Sequence, residues 1–225
     1  MSQKRKLPEN RHKNLVNFTP KNAKQKEFVK LIEDNEIIIA KGVAGSGKSY
    51  VALATGLNLL GDTYKNLILV KSVTTIPGEE LGYLKGSLHE KMEPFMMSYS
   101  WNIDKMCGKG TFEDLVHKGI IIVLPIAYVR GLSIDNAIVI LDESQNITSD
   151  TFKTLITRIG ENTKYIFLGD TEQVDRKKKH ESSLQTMIDI LGPTKIVATL
   201  EFTDDDCVRN PLIPKIIQAL REHNL

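Results

Sequence analysis

The 225-residue sequence contains two cysteines, few aromatic residues and no long apolar run. Cys107 and Cys207 stand far apart without a C-x-x-C pair, so we expect neither a disulfide framework nor a zinc site, and a reducing compartment fits. No apolar run approaches the roughly 20 residues that span a bilayer, so we expect no membrane segment. The first residues are basic but lack the apolar stretch of a secretory signal. The sequence therefore predicts a cytoplasmic protein.

An excess of charge of one sign is also absent, because 30 basic residues nearly balance 28 acidic ones. The net charge of +2 does not by itself predict nucleic-acid binding. Basic residues cluster at the N-terminus and in the RKKKH run over residues 176–180. Such a run is commonly solvated surface, and contact with a polyanion is the alternative. The length suits one large domain, which we place at residues 21–225 after a basic arm over residues 1–20.

Six short runs of apolar and β-branched residues recur along the chain. They cover residues 36–41, 66–71, 120–124, 137–141, 165–169 and 195–200. Continuous apolar runs of this length are typical of strands buried on both faces, as in a parallel sheet covered by helices. The sequence therefore predicts an α/β fold with a mostly parallel sheet flanked by helices.

Helical spacing of apolar residues is clear in two places outside these runs. A helix is predicted over residues 148–159, with Thr148 or Ser149 as its N-cap and Gly160 as its end. A final helix is predicted from Asn210 onward. Both helices are interpreted as packing elements.

Residues 77–118 have the weakest pattern in the sequence. Glycines and Pro94 interrupt the helical and strand periods before a short predicted helix over residues 112–116. We expect an inserted segment with its own shape here.

The stretch KGVAGSGKSY contains the phosphate-binding pattern G-x-x-x-x-G-K-[ST]. Its residues are Gly42, Val43, Ala44, Gly45, Ser46, Gly47, Lys48 and Ser49, followed by Tyr50. The glycines allow backbone N–H groups to point at phosphate oxygens, Lys48 supplies a positive charge, and Ser49 offers a hydroxyl to Mg²⁺. A predicted strand leads into the loop and a predicted helix over residues 50–60 leads out, so the helix N-terminus faces the phosphates. The loop predicts a site for ATP and Mg²⁺.

A pair of carboxylates forms the second half of such a site. In AIVILDESQN, five apolar residues deliver Asp142 and Glu143 to the end of a predicted strand. Asp142 can hold Mg²⁺ opposite Ser49, and Glu143 can orient or deprotonate the attacking water. The pair favours hydrolysis over phosphoryl transfer, and a small-molecule kinase is the alternative.

A third polar strand end follows in FLGDTEQVD, over residues 167–175. Asp170 and Gln173 are expected at the same edge of the sheet. An amide there can interact with the γ phosphate as donor and acceptor.

These three elements, in this order, resemble superfamily 1 helicase motor domains, and the chain is identified as a member of the PhoH family of P-loop ATPases. The G-E-x-L-G-[FY]-L-x-G and P-I-A-Y-x-R-G stretches are more specific to that family than the phosphate loop. The resembling segments cover residues 21–29, 42–52, 76–95, 124–146, 155–175 and 202–213. The resemblance therefore extends over nearly the whole chain from about residue 20.

The resemblance implies a RecA-like core, ATP binding and hydrolysis, a link to single-stranded RNA or other nucleic acid, and a ring-like, hexameric homo-oligomer. Gln25 matches the glutamine that reads adenine in related helicases, and a glutamine on a helix surface is the alternative. Gln173 matches the γ-phosphate glutamine, and Arg209 matches an arginine that completes the phosphate site. Lys71 and Ser72 stand where the family more often has Arg-Pro, which puts that contact in doubt. No PIN nuclease domain is recognised, so RNA cleavage is not implied.

A single motor domain needs an arginine to stabilise the charge of the transition state. We expect a neighbouring subunit to supply it, with Arg209 first and Arg158 second as candidates. The alternative for Arg209 is pairing within its own chain. Its candidate partners are Asp204, Asp205 and Asp206.

Nucleic acid is expected along a basic, partly aromatic surface of such a ring. Tyr83, Lys85 and Lys91 in the inserted segment are the candidates, with ordinary exposed side chains as the alternative. Arg130 is interpreted as structural or polyanion-contacting. The predicted function is an ATPase that acts on or is stimulated by RNA, and the alternative is a nucleotide-gated scaffold with slow hydrolysis.

Overall fold

The six apolar runs are strands of one parallel sheet in the computed structural model. The structure describes residues 16–71, 88–129, 131–170, 183–208 and 216, and side chains from residue 96 onward in the helix that begins at 88. The strands are β1 (Ile37–Gly42), β2 (Asn66–Lys71), β3 (Ile121–Pro125), β4 (Ala137–Asp142), β5 (Lys164–Gly169) and β6 (Ala198–Phe202). All six predicted strands are confirmed, and β6 begins three residues later than predicted.

Helices cover both faces of this sheet. They are α1 (Ala23–Asp34), α2 (Lys48–Leu59), α3 (Leu88–Cys107), α4 (Thr111–His117), α5 (Ile126–Val129), α6 (Ser149–Ile156) and α7 (Ser183–Leu191). The predicted helix after the phosphate loop corresponds to α2, and the one over residues 112–116 corresponds to α4. The predicted helix from Asn210 lies outside the described residues except for Ile216, which is helical.

The described strands lie in the order β3-β2-β4-β5-β1-β6, and every pairing between neighbours is parallel. All carboxyl ends therefore meet at one edge of the sheet. The phosphate loop follows β1, Asp142 ends β4, and β5 lies between those two strands. This arrangement is the expected α/β fold with a parallel sheet flanked by helices, and it places the two halves of the predicted site at the same edge.

Alternating residues of each strand build one core on each face of the sheet. In β1, Ile38 and Ala40 belong to the core that also contains residues of α1, α2, α3 and α4, whereas Ile37 and Ile39 belong to the core with residues of α6 and α7. Burial on both faces explains why the strands read as continuous apolar runs.

The predicted helix over residues 148–159 is shorter in the structure. Thr148 is the N-cap, as one of the two predicted candidates, and its hydroxyl accepts from the Thr151 N–H. The helix ends at Ile156, so the prediction of Gly160 as its end is wrong. A Cβ at Gly160 would lie 2.3 Å from the Ile134 carbonyl oxygen, so the glycine permits close approach of the chain before β4.

The segment over residues 77–118 holds a helix that its pattern does not predict. Residues 77–87 lie outside the described part, but α3 is a 20-residue helix that runs through position 94 without ending. Buried Met96, Tyr99 and Ile103 have spacings of three and four residues, which places them on one helix face against the sheet. The glycines and the proline interrupt the sequence pattern of this segment, so the short helical period of these three residues did not lead to a helix prediction.

Residues before α1 already belong to the packed core. Val16 is buried, and its N–H and carbonyl both bond to the Asn58 side chain on α2, at 2.9 Å and 3.1 Å. In the ranges that the structure describes, no helix combines the length and apolarity needed to cross a bilayer.

Candidate active site

The phosphate loop crosses the carboxyl edge of the sheet between β1 and α2. Gly42 and Gly47 have φ angles of 134° and 84°, which disfavour other L residues. A Cβ on Gly42 would lie 2.0 Å from the Phe202 carbonyl oxygen, and one on Gly47 would lie 2.8 Å from Gln25 Nε2. The close backbone contact with β6 at Gly42 and the positive φ at both positions therefore favour glycine at both ends of the loop.

Lys48 is the first residue of α2, and its ammonium lies over the loop. Its Nζ donates to the carbonyl oxygens of Gly42 at 2.6 Å and Val43 at 2.8 Å, and to Ser46 Oγ at 3.3 Å. These acceptors hold the positive charge at the concave side of the loop. A phosphate oxygen entering the loop can take their place as acceptor.

Ser49 and Asp142 bring the two halves of the site into contact. Ser49 Oγ donates to Asp142 Oδ2 at 3.0 Å, and Asp142 Oδ1 accepts from the Glu143 N–H at 3.1 Å. Burial and then the charge of Glu143 raise the pKa of Asp142, although Ser49, Lys71 and the Glu143 N–H lower it. A cation beside this carboxylate would offset that burial cost. A hydroxyl and a carboxylate are also the oxygen ligands that Mg²⁺ accepts, so the residues present fit the metal.

Glu143 is held in place by a residue whose role the sequence pattern does not reveal. Gln145 Nε2 donates to Glu143 Oε2 at 2.7 Å, and Gln145 Oε1 accepts from the Asp170 N–H at 3.0 Å. The Gln145 amide therefore links the end of β4 to the end of β5. Its place two residues after Glu143 was the only sequence signal for this role.

These side chains surround one cavity of about 720 Å³ at the carboxyl edge, which we call the loop cavity. The predicted residues that line it are Gln25, Ala44, Gly45, Gly47, Lys48, Ser49, Tyr50, Asp142, Glu143 and Asp170. Residues 17–19 and Lys21 extend its wall beyond the loop. The cavity thus joins most of the expected nucleotide contacts to both candidate metal ligands.

Gln25 lies at the base of the loop and is only 2% exposed, so it is not an ordinary glutamine on a helix surface. Its Nε2 donates to the Ser46 carbonyl oxygen at 2.9 Å, and its Oε1 accepts from the Lys21 N–H at 2.8 Å. Each end of a primary amide has a second hydrogen-bonding position. The Gln25 amide therefore bonds the loop through one position at Nε2 and the Lys21 N–H through one position at Oε1. A ligand can bond the second position of each atom.

Helix α3 forms a wall of the cavity that sequence patterns missed. Ser98, Tyr99, Asn102 and Lys105 line the cavity from α3, and Lys71 lines it from the end of β2. Lys71 Nζ lies 3.4 Å from Ser98 Oγ and 5.5 Å from the centre of the Tyr99 ring. The spacing of Met96, Tyr99 and Ile103 was the available signal, because it is the period of one buried helix face.

Several predicted residues fall outside the part of the chain that the structure describes. They are Gln173, Arg209, Arg130, Tyr83 and Lys85, together with the two segments that contain the basic clusters, residues 1–15 and 176–180. Lys91 lies within α3, in the stretch where side chains are not described.

The two candidate arginines occupy different parts of the fold. The Val208 N–H donates to the Gly45 carbonyl oxygen at 3.1 Å, so the residue before Arg209 touches the phosphate loop of its own chain. Arg158 is exposed just after α6, where Ile159 bridges to Ile134 before β4. Arg158 therefore lies near the amino edge of the sheet, away from its own loop cavity.

Comparison with known proteins places this architecture in a family. A model described as "PhoH-like protein" matches residues 17–221. The chain belongs to the PhoH-like protein family. The match covers the phosphate loop, the β4 carboxylates and α3, so all walls of the loop cavity lie within the family region.

Two PhoH relatives show the extent of the similarity. The PhoH-like protein of Bacillus subtilis is 34% identical over 200 residues, which are 89% of this chain and 63% of that protein. Protein PhoH of Escherichia coli is 31% identical over 201 residues, which are 88% of this chain and 57% of that protein. The chain thus spans about three fifths of the length of these relatives.

Solved structures show weaker similarity to this PhoH-like chain. The large terminase from a thermophilic bacteriophage has a TM-score of 0.48 and 14% identity, with 89% of this chain and 50% of that chain covered. Bacteroides sp Pif1 in complex with ADP-AlF4 has a TM-score of 0.44 and 13% identity, with 91% and 46% covered. Neither similarity indicates an activity for this chain.

Proposed function

We propose that this protein binds ATP with Mg²⁺ in the loop cavity and hydrolyses it. The observation that carries the proposal is the 3.0 Å contact between Ser49 Oγ and Asp142 Oδ2. It joins a phosphate-binding loop to a carboxylate from a separate strand, which are the two elements that a Mg²⁺-nucleotide requires. Bound there, Mg²⁺ would neutralise charge that develops on the phosphates.

The triphosphate is held by the loop, with its terminal phosphate toward the carboxyl ends of β2 and β4. The loop N–H groups and the Lys48 ammonium supply donors for the phosphate oxygens. The base is proposed to lie against residues 17–19, Lys21 and Gln25, which also line the cavity. Gln25 then reads the adenine edge with the amide positions that Ser46 and Lys21 leave available.

Glu143 is the group that activates water. It accepts a proton from the attacking water while the water oxygen bonds to the terminal phosphorus and the bridging oxygen leaves with the diphosphate. The bond from Gln145 fixes the orientation of the Glu143 carboxylate. Release of free phosphate, rather than a phosphorylated acceptor, distinguishes this reaction from that of a kinase.

A magnesium titration of ATP hydrolysis tests the proposal. Free phosphate should be released only with Mg²⁺, and Ser49→Ala should require about tenfold more Mg²⁺ for half-maximal rate, because one metal ligand is lost. Ser100→Ala, a serine on α3 that does not line the loop cavity, is the matched control and should leave the titration unchanged. Magnesium-independent phosphate release, or an unchanged titration for Ser49→Ala, would contradict the proposed site.

We also propose that subunits of a hexameric ring complete each other's sites. The position of Arg158 near the amino edge supports a role only in a neighbour's cavity, whereas the contact of Val208 with the loop supports a role for Arg209 within its own chain. Mixing inactive Lys48→Ala with inactive Arg209→Ala decides between these arrangements for Arg209. Recovered activity shows that Arg209 acts across subunits, and no recovery, with mixed rings verified, shows that it acts within its chain.

We propose that the ATPase acts on, or is stimulated by, single-stranded RNA or another single-stranded nucleic acid. The alternative is a nucleotide-gated scaffold with slow hydrolysis. Adding single-stranded RNA distinguishes the two functions, because a nucleic-acid-dependent ATPase should release phosphate faster. A scaffold should release phosphate at an unchanged rate over the same RNA range.

A further inference from the structure

Tyr99 presents a buried hydroxyl group that no described residue bonds. The side chain is 1% exposed on the inner face of α3 and lines the loop cavity. Its Oη has no hydrogen-bond partner in the part of the chain that the structure describes. Buried hydroxyl groups nearly always have partners, because an unmade hydrogen bond destabilises the fold. Tyr99 also lines the loop cavity, so a ligand bound there can supply the partner that the described residues do not.

The surroundings of this hydroxyl determine the chemistry of that atom. Burial, followed by the charges of Asp142 and Glu143, raises the pKa of Tyr99 well above its usual value. The phenol therefore stays protonated and can act as a donor. An acceptor such as a phosphate oxygen is one partner that this donor suits.

Lys71 adds a positive charge at the same place. It ends β2 directly beside Asp142 in the parallel register of β2 and β4. Its Nζ lies 5.5 Å from the centre of the Tyr99 ring, and the Lys71 charge lowers the pKa of Asp142. A donor and a cation that line the same cavity favour an anionic acceptor there.

We propose that Tyr99 and Lys71 contact the terminal phosphate of a bound nucleoside triphosphate and thereby distinguish it from a diphosphate. The inference rests on the proposed ATP site. Asp142 and Ser49 hold Mg²⁺ beside the outer phosphates, so side chains next to Asp142 lie at the terminal-phosphate end. A diphosphate lacks the oxygens that would complete the Tyr99 hydroxyl. Tyr99 and Lys71 therefore act as specificity-determining residues.

The chain contains a matched control for Tyr99. Tyr165 is also fully buried, and its hydroxyl also has no partner among the described residues, but it lies near the start of β5 and does not line the loop cavity. Replacement by phenylalanine removes an unbonded hydroxyl in both cases. Neither variant should lower the Tm of the ligand-free protein.

The test compares affinities for a non-hydrolysable ATP analogue and for ADP, both with Mg²⁺, by isothermal titration calorimetry. Tyr99→Phe should weaken analogue binding about tenfold, as expected for a hydrogen bond to a charged group, and leave ADP binding unchanged. Tyr165→Phe should change neither affinity. Lys71→Met should also weaken only the analogue, and Lys71→Arg should recover most of that loss because it keeps the charge.

The outcomes separate this inference from the ATP site itself. If the wild type binds neither nucleotide, the proposed function fails and the inference fails with it. If the wild type binds both and Tyr99→Phe keeps the wild-type ratio of affinities, the inference alone is overturned. Equal weakening of both nucleotides would also overturn it, because Tyr99 would then support the cavity as a whole.

Discussion

The buried polar groups at the two edges of the sheet differ in how well the chain itself compensates their burial. At the amino edge, Thr163 Oγ1 donates to the Ile134 carbonyl oxygen at 2.6 Å, and the Lys164 ammonium donates to the Asn35 carbonyl oxygen. At the carboxyl edge, Asp142 has a raised pKa and the Tyr99 hydroxyl has no partner among the described residues. The named groups at the amino edge bond within the chain. At the carboxyl edge the Tyr99 hydroxyl lacks a described partner, and Asp142 has a raised pKa because of burial although it bonds Ser49 and the Glu143 N–H.

The difference separates stability from function. Groups paired within the chain support the fold in the ligand-free protein, whereas incompletely paired groups gain their partners when a ligand binds. Tyr165 is an exception near the amino edge, because its hydroxyl also lacks a described partner. Substitutions at the carboxyl edge should therefore change ATP turnover, and substitutions at the amino edge should change the free energy of unfolding.

The largest expected effect is that of Lys48→Ala. It removes the loop's positive charge, so kcat for ATP hydrolysis should fall about 100- to 1,000-fold, the range for loss of one strong electrostatic contact. The Tm should change little, because the Lys48 ammonium donates to acceptors of the phosphate loop itself, at Gly42, Val43 and Ser46. Phosphate release and thermal unfolding measure the two effects. Lys153→Ala, at an exposed position on α6, is the control and should lower neither.

Asp142→Asn should reduce hydrolysis about 100-fold and yet stabilise the ligand-free protein at neutral pH. The pKa of Asp142 is raised above 3.8 on folding, so the unfolded chain ionises first as pH rises. The folded state therefore loses stability between that value and its own higher pKa. The variant has no such loss.

Urea unfolding of wild type and Asp142→Asn at several pH values checks this sign. The free energy of unfolding of the variant should rise relative to that of the wild type as the pH increases from 3.8 toward neutrality. The exposed substitution Asp150→Asn should show no comparable gain. A variant less stable than wild type at neutral pH would show that Asp142 belongs with the groups that support the fold.

A smaller effect is expected from Lys164→Met at the amino edge, which should change the free energy of unfolding and leave ATP turnover unchanged. Burial lowers the pKa of Lys164 from 10.5 to about 8, although Glu36, Asp34 and Glu33 act to raise it. The folded chain loses the proton first, so its stability rises as pH increases from about 8 to 10.5. The wild type should gain up to about 3 kcal/mol relative to Lys164→Met across that interval.

Urea unfolding at the two ends of that interval measures the gain, and the ATPase activity per folded molecule should be the same in both proteins. A stability difference independent of pH would mean that Lys164 has an ordinary pKa. A loss of activity in Lys164→Met would break the separation between the edges.

Sequence patterns predicted the sheet and the phosphate loop because both depend on local signals. Burial of β1 on both faces makes it a continuous apolar run, and the loop needs glycines at fixed spacing. Asp142 and Glu143 could be predicted because they follow a strand directly. The sequence also predicted Asp142 opposite Ser49, and strand order and register in the structure add their 3.0 Å contact.

The α3 wall could not be predicted in the same way. Its contribution depends on contacts between residues far apart in sequence, such as Lys71 with Ser98 and Tyr99. Position 94 carries a proline that breaks a local helical pattern, yet the helix continues. Gly160 shows the same limit, because its role comes from contact with residue 134 and not from the end of α6.

The most direct test of the account is Glu143→Gln in the presence of Mg²⁺. The substitution removes the proton acceptor and keeps a side chain that can still bond the Gln145 amide. The account predicts that the variant binds ATP with wild-type affinity while single-turnover phosphate release falls about 100-fold or more. Hydrolysis at the wild-type rate with ATP bound would contradict the assignment of Glu143 and, with it, the proposed use of this cavity.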